Sequence, residues 1–198
     1  MERFFSDISI NFGLNPFCII ETISDTHVNE GTIISPLFGY KSFRIAIDKK
    51  LAEELSKTCD GKPGIAIKML KDENYKKWRS DALDEAEFLA EIGSYARFIY
   101  GGTFSKRYTK DRDDSIAILT LWQEWWRDIL ISSYGIDDSI INQSRIDKIA
   151  YYATQYGSTN SAKNVRILTN TIEKLRKNFN PSLTIEQLML GMPTLIHK

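Results

Sequence analysis

The chain has 198 residues, 26 Lys and Arg set against 26 Asp and Glu, and is 42% hydrophobic and 12% aromatic. Such usage excludes a disordered chain, and the length suits one or two domains of roughly 100–200 residues. Zero formal charge leaves no global field toward nucleic acid or lipid, and no apolar run approaches the ~18 residues of a membrane helix, so a soluble cytoplasmic protein without a membrane partner is expected.

Residues 1–47 read as a short β-containing segment. Ile8, Ile10 and Phe12 alternate with Asp7, Ser9 and Asn11, and FCIIETI is a β-branched run. Gly13, Pro16, Gly31, Pro36 and Gly39 interrupt this region too often for an ordinary helix. From residue 48 the period changes. Ile47, Leu51 and Leu55 recur every four residues, the run halts at CDGKPG, and Pro63 suits the first turn of a second helix because its missing N–H has no intrahelical partner there. Residues 48–80 are therefore predicted to form a small helical pair.

Residues 81–198 read as a helical bundle. Leu89, Ile92, Gly93, Ala96, Ile99 and Tyr100 share one face of a predicted helix closed by Gly101 and Gly102, a face expected to be buried. Asp111, Asp113 and Asp114 favour the positive end of the next helix, which runs through IAILTLWQEWWRDILISSY to Gly135. Ser144 and Asp147 fit a capping-box-like start, with Ile146, Ile149, Ala150 and Ala153 as a stripe ending at Gly157. Val165, Leu168, Ile172, Leu175 and Phe179 then recur at helical spacing up to Asn180 and Pro181, and a last helix around TIEQLML stops at Gly191 and Pro193. The fold class is mainly α, a C-terminal helical bundle preceded by a small helical pair and a short β-containing segment.

Catalytic signatures are missing from the sequence. The nearest string to a phosphate-cradling loop, Gly61-Lys62-Pro63, has Ser56 where the first glycine belongs and Pro63 where the magnesium hydroxyl belongs. Asp84 and Glu85 read as a solvated helix start, His27 as a surface histidine and Cys18 as a small buried hydrophobe. Cys18, Cys59, His27 and His197 are too scattered for a recognisable zinc framework. No catalytic residue, cofactor or metal is expected.

Trp122, Trp125 and Trp126 on one helix are the most unusual local feature. With Leu119, Ile129 and Leu130 they make an apolar arc wider than one core contact requires. Two readings stand: a central core helix, or a helix that also contacts another subunit, where Trp and Arg are enriched. The basic residues Lys106, Arg107, Lys110 and Arg112, and Lys163, Arg166, Lys174, Arg176 and Lys177, read as solvated faces, with DNA contact as the rival.

TCDGKPGIAIKMLKDE resembles the small helical lid of the delta-prime subunit of the bacterial DNA polymerase III clamp loader, where a Gly-Arg-Pro-Gly type turn separates two helices. LWQEWWRDILISSYG looks like that family's collar helix, and NFNPSLTIEQLMLGMP like its closing Asn-x-Asn-Pro ending. The resemblance covers roughly residues 48 to 193. It implies an AAA+ lid at 48–80 with Gly61, Pro63 and Gly64 in its turn, a collar domain at 81–198, and residues 1–47 as a remnant of an AAA+ core. FCIIETIS is similar to the sensor strand, and Ile34, Pro36 and Gly64 stand where ATP-hydrolysing relatives carry arginines, so no nucleotide chemistry is expected.

The function implied is that of a non-catalytic clamp-loader subunit acting in DNA replication through assembly with the other clamp-loader subunits. The interface residues implied are Trp122, Trp125, Trp126 and Arg127, with Ile172, Leu175, Leu188 and Leu190 as supporting core or rim. The alternatives are a stand-alone helical protein-interaction domain and a nucleic-acid-binding module.

Overall fold

Periodic apolar residues, capped starts and few internal prolines commit most of this sequence to helix, and a computed structural model bears out a mainly helical chain. It describes residues 6–11, 19–23, 43–47, 55, 58 and 63–195. The chain divides into two compact units, Met1–Lys76 and Lys77–Lys198.

In the first unit β1 (Ser6–Asn11), β2 (Ile19–Ile23) and β3 (Phe43–Ile47) form a sheet in the order β2-β1-β3. Their β-branched content suits a pleated ladder. Both pairings are antiparallel, with Ser9 opposite Glu21 on one side and Arg44 on the other. P-loop nucleotide-binding cores join parallel strands through helical crossovers, an arrangement that this sheet does not reproduce. Leu55 and Thr58 are helical and buried. Helix α1 (Pro63–Lys71) opens on its proline, as the missing N–H of that residue dictates. Gly61 of the proposed turn lies outside the described residues, as do Cys18, His27, Cys59 and His197.

Helix α2 (Glu73–Glu91) starts where the Asp72 carboxylate accepts the Tyr75 N–H at 3.1 Å. The second unit then contains α3 (Ser94–Lys110), α4 (Arg112–Ser132), α5 (Ile146–Arg176) and α6 (Pro181–Gly191), with short 3₁₀ turns at Asp137–Ser139 and Gln143–Arg145. Helix α4 packs along α5 and against α3, and α3 lies along α6. The helix starts have chemical causes. Asp111 caps α4 by accepting the Asp114 N–H at 3.0 Å, and Asn180 caps α6 by accepting the Leu183 N–H at 3.1 Å, with Pro181 at its first turn. No described helix is long and apolar enough to cross a membrane.

Several expectations are corrected. The single helix predicted to end at Gly101 and Gly102 is two helices, separated at Ile92 and Gly93, and both glycines lie inside α3. Gly101 is there for packing: a Cβ on it would meet Met189 Cγ of α6 at 3.0 Å. Asp84 and Glu85 sit in the middle of α2 rather than at a start. Ser144 caps nothing, because α5 begins at Ile146 with no side-chain cap. Ala96, Ile99, Ala150 and Phe179, assigned to buried stripes, are exposed. The expected helix end at Gly157 agrees with the structure: at φ 67°, ψ 173°, a backbone conformation essentially closed to residues with a Cβ, it breaks α5 into arms at 146–156 and 158–176.

Candidate interaction surface

The tryptophan helix resolves first. Trp122, Trp125 and Trp126 are at most 1% exposed. The Trp122 indole donates to the Ala82 carbonyl at 2.9 Å and packs on Phe104, with ring centroids 5.0 Å apart. Trp125 meets Trp126 edge-on at 5.1 Å and Tyr152 at 5.1 Å, while Trp126 meets Tyr156 edge-on at 4.8 Å. The arc is wide because α4 is covered on more than one side, by α3 and by α5. The interface assigned to these indoles is therefore corrected: side chains closed off inside one chain have no surface to offer a neighbouring subunit.

The other candidates separate in the same way. Ile172, Leu175 and Leu188 are core residues. Arg127 is 44% exposed and its guanidinium donates to the Asp128 carboxylate at 3.2 Å. Leu190 is exposed on the side of α6 opposite Ile185 and Leu188. Pro63 and Gly64 form the first residues of α1.

The exposed apolar surface lies elsewhere. Helix α3 buries Arg97, Gly101, Phe104 and Tyr108 on one face. Tyr95, Phe98 and Ile99 project from the other, with Tyr95 79% and Ile99 55% exposed. At 100° per residue these three are neighbours. Nothing lies within 4 Å of where a Gly102 side chain would begin, one turn further along the same face. Phe88 of α2 is also exposed, its ring 6.4 Å from that of Tyr100. Leu183 and Leu190 of α6 are also exposed, as is Phe179 just before it. The sequence holds a signal for the α3 face: apolar residues lie on two opposite sides of one helix, and Ile99, expected to be buried, belongs to the exposed one.

Several charges around these faces are engaged internally. Arg107 pairs with Glu85 at 3.1 Å and Asp114 at 3.3 Å, and Arg112 donates to the carbonyls of Leu175 and Arg176. Arg145 bridges Asp84 and Glu87. Burial works against its charge, but the two carboxylates hold its guanidinium above the ordinary value. Burial pushes the Tyr100 and Tyr152 phenols far up, helped by their hydrogen bonds to Glu85 and Glu91. Tyr156 is raised to about 12 by burial, with Arg97 pulling the other way.

Among the described residues no three His, Cys, Asp or Glu side chains gather as metal ligands do. No protein-family model, curated protein or solved structure matches the chain.

Proposed function

We propose that this chain is a non-catalytic, delta-prime-like clamp-loader subunit, whose work in DNA replication is to hold partner subunits in register. The observation that carries the assembly part of this reading is the outward row Tyr95, Phe98 and Ile99 on α3, a helix already anchored through its opposite face. Apolar side chains gathered on one exposed helix face cost solubility unless a partner covers them. The clamp-loader part rests on the resemblance of residues 48–193, in which the Asn-Pro of the closing motif supplies the cap and first turn of α6. The collar assignment and the origin of residues 1–47 in an AAA+ core belong to this proposal.

The same row also suits a stand-alone helical interaction domain, and the identity of the partner separates the two. DNA binding is less favoured, because Arg107 and Arg112 are engaged with partners inside the chain. The test is native mass spectrometry of the full chain mixed with clamp-loader subunits. A hetero-complex with the wild-type chain, lost in the Tyr95→Glu, Ile99→Glu double variant, is the expected result. A chain that stays alone beside every subunit overturns the reading.

A further inference from the structure

The outer side of α3 carries more than its apolar row. Tyr95, Ile99, Gly102, Lys106 and Lys110 are all exposed, and at 100° per residue they fall on one stripe that runs the length of the helix, about 22 Å. Their spacing, steps of three and four residues, is that of a seam between two packed helices.

The stripe is divided by chemistry. Its first half is apolar and its second half cationic, and between them nothing lies within 4 Å of where a Gly102 side chain would begin. Helix α3 contains no Asp or Glu. Arg107, which stands off the stripe, is paired with Glu85 and Asp114. Lys106 and Lys110 make no ion pair among the described residues.

These features select the occupant. A stripe of this spacing matches one amphipathic helix, whose anchors recur every three or four residues. The open position at Gly102 has room for a bulky side chain of that helix. Lys106 and Lys110 are complemented by carboxylates on the part of the partner that lies over them. A second copy of α3 does not supply these. Laid parallel it sets lysine against lysine, and laid antiparallel it covers the lysines with Tyr95 and Ile99 and brings no counter-charge.

We propose that the α3 stripe is a docking seam for an acidic amphipathic helix of a partner protein, apolar over Tyr95 and Ile99, bulky at Gly102 and carboxylate-bearing over Lys106 and Lys110. This rests on the reading of the α3 row as an assembly surface and adds the chemistry of what the surface takes. The uneven charge also fixes the direction in which the partner helix runs.

The test is amide NMR of the isotope-labelled full chain titrated with two synthetic helical peptides. Both carry leucines at three- and four-residue steps; one has glutamates and the other lysines at the positions facing Lys106 and Lys110. The expected result is shifts concentrated between Tyr95 and Lys110, with the glutamate peptide bound about tenfold tighter, the scale of two charge pairs at the edge of an interface. Gly102→Gln, which fills the open position with a neutral side chain, should abolish that binding, and the Lys106→Glu, Lys110→Glu double variant should reverse the preference. Equal affinity for the two peptides, shifts away from α3, or oligothymidylate shifting the same amides more strongly than the glutamate peptide overturns the proposal. A chain that takes the glutamate peptide yet stays alone beside clamp-loader subunits supports the seam and overturns the clamp-loader reading.

Discussion

The Asp128 carboxylate, wholly buried on α4, accepts both the backbone N–H of Asn142 at 2.9 Å and its side-chain amide at 2.8 Å. It also takes the Ile141 N–H at 3.1 Å, and the Asn142 side-chain Oδ1 in turn accepts from Arg79 at 2.9 Å. The Ile141 and Asn142 N–H groups have no backbone partner in the irregular connection between α4 and α5, so this one acid supplies it, while Asn142 ties the connection to α2.

Removing that acid leaves the Ile141 and Asn142 N–H groups without their acceptor and frees the Asn142 amide that receives Arg79. Asp128→Ala is expected to lower unfolding stability by about 3 kcal/mol or more, in the range for breaking a buried charged network. Asp128→Asn keeps the shape and one acceptor oxygen, so its loss should be smaller. Urea unfolding of the two variants checks this, and equal small losses below ~1 kcal/mol, the scale of one ordinary hydrogen bond, would show that the connection is held by something else.

Burial also separates two sets of aromatics with opposite readouts. Trp126→Ala should cost about 3–5 kcal/mol, because it empties a large space against Tyr156 and Trp125. Tyr95→Ala should stay within about 0.5 kcal/mol of wild type, its ring standing in solvent. Chemical denaturation gives the first comparison, and binding to clamp-loader subunits gives the second, where only the Tyr95 variant is informative about the surface.

Helix boundaries were legible only in part. The acidic run from Asp111 marks a helix start through the dipole and Asn180 with Pro181 marks a stop, but the caps that Asp111 and Asn180 make were not read, and the capping box expected at Ser144 does not form. Glycines were misread for a physical reason. Gly101 and Gly102 carry the same letter as a helix terminator, but the space beside Gly101 is set by Met189, far away in sequence. The site was less legible still. Three tryptophans on one helix signal large apolar area, and only tertiary packing decides whether neighbours in the same chain or another subunit cover it. Nothing local marks Arg97 as buried either, since its partners Met192 and Pro193 lie 95 and 96 residues further along the chain.

Two glycines should respond to alanine in opposite directions. Gly157 has φ 67° and ψ 173°, so although nothing crowds a Cβ there, the backbone itself is strained for any other residue. Gly157→Ala should destabilise by about 1–3 kcal/mol. Gly102 lies inside α3 with open space beside it, and Gly102→Ala should stabilise by about 1 kcal/mol through helix propensity and a less flexible unfolded chain. Thermal melts of the two variants on either side of wild type bear this out, and a shared direction refutes the backbone assignment at Gly157.

Alkaline pH should weaken the fold through its buried phenols. Tyr100, Tyr152 and Tyr156 are all raised above the ordinary tyrosine value by burial, Tyr156 to about 12. Below pH ~10 these groups are protonated whether the chain is folded or not, and their contribution is fully present. Above it the unfolded chain releases protons that the folded chain retains, so stability falls as pH rises, for Tyr156 up to about 12. Tyr156→Phe loses the hydrogen bond to the Ala90 carbonyl and should be less stable at neutral pH, yet its stability should decline less steeply across that alkaline window. Urea unfolding of both proteins at stepped pH measures the two slopes, and parallel slopes would mean that the Tyr156 phenol titrates alike in the folded and unfolded chain.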